Sequence, residues 1–157
     1  MANTSLTSKV TCIGGLRTQA IYLKSGNSIV TDAPVDNHGK GEAFSPTDLM
    51  STSLATCMLT VMGIACSSRN INIDGTVAEV TKIMTANPRK VAEIHITLTF
   101  PPVEYTEEQK KLLEQTARTC PVALSLHPDL IQKITFAYPY LWPFASPFLH
   151  QAEMGFL

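Results

Sequence analysis

The sequence predicts an α+β domain on three observations. Strand-like alternation occurs near the N-terminus and again in the middle of the chain, residues 49–68 carry apolar side chains at helical spacing without one charge, and a second, amphipathic helix pattern follows residue 106. A chain of 157 residues is one domain by length, able to bury roughly 70% of the surface its unfolded form would expose.

Residues 8–34 alternate between β-branched runs and turn residues. Val10-Thr11-Cys12-Ile13, Thr18 to Leu23 and Ile29-Val30-Thr31 are separated by Gly14-Gly15 and by Ser25-Gly26-Asn27-Ser28, which predicts three short antiparallel strands. Residues 33–44 are rich in Gly, Pro, Asp and Asn and read as a loop. Ser45-Pro46-Thr47-Asp48 then has the form of a helix start, with Ser45 as N-cap, Pro46 in the first helical position and Asp48 reaching back as in a capping box. Met50, Leu54, Cys57, Val61 and Ile64 recur at helical spacing behind it, with Leu49, Met58, Met62 and Ala65 on an adjoining face, predicting a central helix that ends near Ser68 and turns Cys57 toward the core. The charge-free stretch is just long enough to span a bilayer, but seven hydroxyl side chains within it favour a helix buried in protein.

Thr76 to Ile83 and Val91 to Phe100 alternate on either side of Asn87-Pro88 and predict a long hairpin. Thr106 and Gln109 form a second capping-box start, and Leu112, Leu113, Thr116 and Ala117 line one face of the helix that follows. Pro121 stops that helix, a short helical turn is expected over residues 122–126, and residues 131–138 predict a last strand. The folded domain is therefore assigned to residues 1–138. Residues 139–157, with Tyr140, Trp142, Phe144, Phe148 and Phe156 among prolines, form an aromatic extension expected to dock on its own sheet or on a neighbouring subunit.

Net charge is −1, with 12 basic and 13 acidic residues spread along the chain. Neither nucleic acid nor an anionic membrane is an expected partner. Only 16% of residues are charged, which points to surface covered by another subunit. The N-terminal residues show no basic start followed by a long apolar run, so a cytoplasmic location is expected. In that compartment thiols stay reduced, and four cysteines suggest reactive rather than stapling chemistry.

Two of the four stand out. Cys57 lies inside the apolar helix, and Cys120 lies directly before Pro121, where one helix ends and another begins. They are 63 positions apart, too far for a local zinc knuckle. Unpaired N–H groups at such a junction favour a thiolate at Cys120. Cys57 in mid-helix would need a fixed cation, because burial alone makes a thiol inert. Arg17, just after Gly14-Gly15, is the candidate cation, and Asp48 the candidate carboxylate to orient it. The plainer alternatives are a small core side chain for Cys57, a solvated strand residue for Arg17 and a simple helix cap for Asp48. A metal site from Cys57, Cys66, Cys120 and His127 is disfavoured, since the paired short spacings of zinc sites are missing.

Phe44-Ser45-Pro46-Thr47-Asp48-Leu49-Met50, Thr56-Cys57-Met58 and Ala117-Arg118-Thr119-Cys120-Pro121-Val122-Ala123 together resemble the OsmC/Ohr family of thiol peroxidases, over about residues 8 to 138. The resemblance implies an intertwined α+β homodimer, with antiparallel sheets packed around two central helices and active sites at the subunit interface. It implies reduction of organic hydroperoxides, and of hydrogen peroxide in some members, without metal, haem or other cofactor. By motif, Cys57 looks like the peroxidatic thiol, Cys120 like the resolving thiol and Arg17 like the arginine that holds the thiolate. Met50, Leu54 and Met58 would then receive the alkyl tail of the substrate. A dithiol reductant, of lipoyl type in the best-known members, would restore the thiols. Asp48 stands where peroxidase members usually carry glutamate, one methylene longer. The competing expectation is a non-catalytic dimer of the same fold that binds an apolar small molecule in its interface pocket.

Overall fold

Gly14 and Gly15 both sit at positive φ, 85° and 59°, and reverse the chain between β1 (Ser8–Gly14) and β2 (Arg17–Tyr22). The computed structural model, which describes residues 5–139, continues through β3 (Ser28–Asp32) to complete an antiparallel three-stranded sheet, β1-β2-β3. Val10 lies opposite Ala20, and Ala20 opposite Ile29, so these three share one face. That face has little to pack on within the chain: Val10 is 62% exposed and Ile29 50%.

A loop with one 3₁₀ turn (Val35–Asn37) leads to α1 (Pro46–Ser67). The predicted capping box is present. Asp48 N–H donates to Ser45 Oγ at 3.2 Å, and Ser45 N–H donates to the Asp48 carboxylate at 2.8 Å. The buried stripe differs from the predicted one. Ser51, Leu54, Ala55, Met58, Met62 and Cys66 face the core, while Cys57 lies at the edge of the packed face and Ile64 is 68% exposed. With no charged residue from 49 to 68, apolar spacing alone does not choose the buried face. By length and composition α1 would also suffice to cross a membrane, with a mean hydropathy of 1.7.

β4 (Val77–Ala86) and β5 (Arg89–Thr99) form the predicted hairpin. The chain then crosses through α2 (Glu107–Arg118) and α3 (Pro121–Ser125) to β6 (Ile131–Ala137), which pairs with β5 in parallel. Parallel neighbours need such a helical crossover. Ala78, Leu98 and Phe136 are in register, as are Val80, Ile96 and Ile134, so alternate positions of three strands supply one apolar face. The core forms between this face and the helices: Leu54, Met58, Met62, Ile94, Leu98 and Leu113 are fully buried. Each such side chain contributes roughly 1.5–3 kcal/mol relative to exposure. The aromatic extension, from residue 140 onward, lies outside the described residues.

Candidate functional site

Pro121 cannot continue α2, so the chain turns at Cys120 and restarts as α3 with Cys120 as N-cap. The Cys120 sulfur accepts a hydrogen bond from Ala123 N–H at 3.4 Å. The Cys57 thiol is its neighbour. α3 packs on α1, and this packing brings together two thiols that lie far apart in sequence. All four cysteines are free thiols in this structure. Cys120 is 1% exposed and Cys57 partly exposed. Burial pushes the Cys120 thiol up; the Ala123 and Val122 N–H groups offset part of this, and the neighbouring Cys57 adds to the rise. The sequence expectation that the helix junction would favour a thiolate at Cys120 is thereby corrected, because desolvation outweighs the N–H groups.

Asp48 is nine residues before Cys57, roughly 13–14 Å along the helix axis at 1.5 Å per residue. Its carboxylate pairs with Lys82 Nζ at 2.6 Å, and the same ammonium donates to Thr47 Oγ1 at 2.7 Å and Ser45 Oγ at 3.1 Å. Burial alone would raise the Asp48 carboxyl, but hydrogen bonds from Lys82 and Ser45 and the lysine charge outweigh it and hold the group below the ordinary value. Arg17 has other partners: Nη2 lies 3.2 Å from Glu42, and Nε 3.8 Å from the fully buried Asp32. The expected Arg17–Asp48 pair is therefore not formed within the chain. Each member has a nearer partner of opposite charge, Lys82 from the core sheet for Asp48, and Asp32 and Glu42 from its own sheet and loop for Arg17.

The model of the OsmC-like protein family matches residues 39–133, a span that holds both thiols and the helices that present them. This chain belongs to the OsmC-like family. A protein of Psychrobacter arcticus 273-4, described provisionally as an osmotic stress induced and detoxification response protein, is 57% identical. The match covers 86% of this chain and 98% of that one, with a TM-score of 0.82. An organic hydroperoxide resistance protein OsmC from Legionella pneumophila is 15% identical over 86% of this chain and 99% of its own, with a TM-score of 0.64. An organic hydroperoxide resistance protein from Elizabethkingia anophelis, crystallised with thiocyanate bound, is 18% identical over 88% and 100%, with a TM-score of 0.65. The last two likenesses establish the OsmC fold alone. No curated protein matches the chain.

Among the predicted pocket residues of this OsmC-like chain, Leu54 and Met58 are fully buried and Met50 is partly exposed. Leu54 and Met58 thus pack the core of the subunit, and Met50 alone retains surface to meet a ligand. Lys82 escaped the sequence reading although a signal for it exists. It follows Ala78 and Val80 at the period of two that places all three on the inner face, where an unpaired lysine would be costly. Asp32 carries a weaker signal, and Glu42, in an irregular loop, carries none.

Proposed function

We propose that this OsmC-like chain is a thiol-dependent peroxidase that reduces organic hydroperoxides to alcohols, acting in the cytoplasm as a homodimer. The observation that carries the reading is the neighbouring Cys57–Cys120 pair, with Cys57 partly exposed and Cys120 buried in the core. The Cys57 thiolate attacks the terminal peroxide oxygen, the O–O bond breaks, and the alkoxide leaves and takes a proton to become the alcohol. Cys57 is left as a sulfenic acid. Cys120 condenses with it, losing water and forming the disulfide, and a dithiol of lipoyl type then restores both thiols by exchange.

Arg17 is proposed as the cation that holds the Cys57 thiolate, supplied from a second copy of the chain. Two observations support this. The sheet face that carries Arg17 also carries Gln19 and the exposed Val30, and the α1 surface beside Cys57 leaves Thr56, Thr60 and Ile64 exposed, so each presents surface without a cover in one chain. Asp48, through Lys82, fixes the start of the helix that bears Cys57. Met50 would meet the alkyl tail, backed by Leu54 and Met58.

The test is stopped-flow oxidation of reduced protein by cumene hydroperoxide and by hydrogen peroxide, with mass detection of the disulfide. Rapid Cys57–Cys120 disulfide formation, faster with the organic peroxide and abolished by Cys57→Ser, is expected. Oxidation no faster than that of a free thiol would overturn the peroxidase and leave a ligand-binding dimer of the same fold.

A further inference from the structure

Arg17 opens β2 directly opposite Asp32, the last residue of β3. The turn before it carries strain, because Leu16 adopts a left-handed φ of 62° with its side chain exposed. The Leu16 carbonyl accepts a hydrogen bond from Ala33 N–H at 3.2 Å, and Asp32 N–H donates to the Phe44 carbonyl at 3.1 Å. The backbone around the Arg17–Asp32 pair is thus pinned to its own sheet and to the loop before α1.

Asp32 Oδ2 accepts the Glu42 N–H at 3.1 Å and faces Arg17 Nε at 3.8 Å, so one carboxylate holds both the arginine and the loop residue that pairs with its Nη2. The Asp32 side chain is 0% exposed and that of Glu42 56%. Water and salt screen the Glu42 pair, whereas a charge sealed from solvent keeps its attraction. Asp32 therefore has the firmer hold, although its approach is longer. Burying a carboxylate is costly unless it is fully bonded. Here Asp32 Oδ1 and Arg17 Nε are both buried without a hydrogen-bond partner among the described residues. A pair shaped for stability alone would close that gap.

We propose that Asp32 is a positioning residue: with the Glu42 it anchors, it holds the Nε–Nη2 edge of the Arg17 guanidinium and leaves Nη1 as the donor that meets the Cys57 thiolate of a second copy. Nη1 has no ion-pair partner among the described residues. The meeting with Cys57 rests on the peroxidase reading; the hold of Asp32 on Arg17 does not. The plainer role for Asp32 is that of a loop anchor, accepting the Glu42 N–H and nothing more. An asparagine accepts that bond through its amide oxygen but has no charge to hold a guanidinium. Asp32→Asn therefore separates the two roles.

The experiment follows the thiolate of Cys57 by its ultraviolet absorbance across a pH titration, in full-length protein carrying Cys12→Ser, each variant read against the same variant with Cys57→Ser. No reagent has to reach the sulfur, and no hydroperoxide is involved. The sign of the effect is decisive. Removing a negative charge acts through space to favour the thiolate and lowers the midpoint, whereas losing the aim of Arg17 raises it. We expect Asp32→Asn and Arg17→Gln each to raise the midpoint by about one pH unit or more, and the double variant to go no further. A midpoint lowered or unmoved by Asp32→Asn while Arg17→Gln raises it would overturn the proposal and leave the arginine in its role. A midpoint unmoved by Arg17→Gln would overturn both. Glu42→Gln, a surface change that spares the buried carboxylate, should move the midpoint by less than about half a unit. A rise as large as that of Arg17→Gln would make Glu42 the aiming carboxylate and overturn the assignment to Asp32, even if Asp32→Asn does not fold. Slow oxidation by hydroperoxide would sink the peroxidase and leave these midpoints unchanged.

Discussion

Asp48→Asn separates two roles for the carboxylate, as the cap and Lys82 partner seen in the structure or as the orienting group for Arg17. The substitution keeps the shape of the side chain but removes the charge that faces the Lys82 ammonium at 2.6 Å and weakens the capping box. A lost cap of this kind costs about 1 kcal/mol. The ion pair adds a discounted amount, because the Asp48 side chain is 36% exposed and Lys82 20%. Pairs this accessible to water give about 0.2–1 kcal/mol. A total of about 1–2 kcal/mol lowers the melting temperature of a domain this size by about 2–8 °C.

The pH dependence of that gap follows from the direction of the shift. The folded carboxyl titrates below its ordinary value of 3.8. Its contribution is therefore complete above the unfolded value, and it is lost as pH falls through the lower, folded one. Thermal melts of wild type and Asp48→Asn should differ at pH 7 and converge on acidification below pH ~4. Lys82→Met should reproduce most of the loss, and the double variant should be little worse than either single one. Asp48→Asn melting with wild type at pH 7, or a gap that widens in acid, would refute the Lys82 assignment. Coupling of Asp48→Asn to Arg17→Lys in place of Lys82→Met would restore the arginine as its partner.

Two further outcomes test the division between core and interface. Leu54→Ala should cost about 2–5 kcal/mol in urea unfolding, as expected for a fully buried leucine; an unchanged unfolding midpoint would return Leu54 to the lining of a pocket. Ile29→Asp places a charge on the exposed face shared by Val10, Ala20 and Ile29, and light scattering should then report a single chain where wild type reports two. A dimer that persists in Ile29→Asp would exclude this face from the interface.

Much of the fold was legible because its boundaries are written in local chemistry. Ser45-Pro46 with Asp48, and Thr106 with Gln109, start helices by satisfying N–H groups within three residues, and both capping boxes are found where the sequence puts them. The Asn87-Pro88 turn and the alternation around it place the long hairpin in the same way. The parallel pairing of β6 with β5 was not legible, because it depends on where the crossover through α2 and α3 lands rather than on the strand's own residues.

The site divides along the same line. Cys57 and Cys120 announce themselves through their flanks, and the Pro121 that ends α2 also fixes the Cys120 sulfur as the cap of α3, facing α1. What the sequence misjudged was burial. A helix with no charge on any face gives no local reason to turn Cys57 in or out, and the choice falls to the sheet beneath it, which takes Leu54, Met58 and Met62. That choice leaves one thiol of the pair with surface and the other without, and it removes two of the three expected pocket residues into the core. The Arg17–Asp48 pairing failed for a different reason. Electrostatic partners are chosen by proximity in the folded chain, and the in-phase position of Lys82 on β4 gives it first claim on the start of α1. Asp48 then needs no longer side chain to reach across to an arginine, because the cation arrives from the strand below.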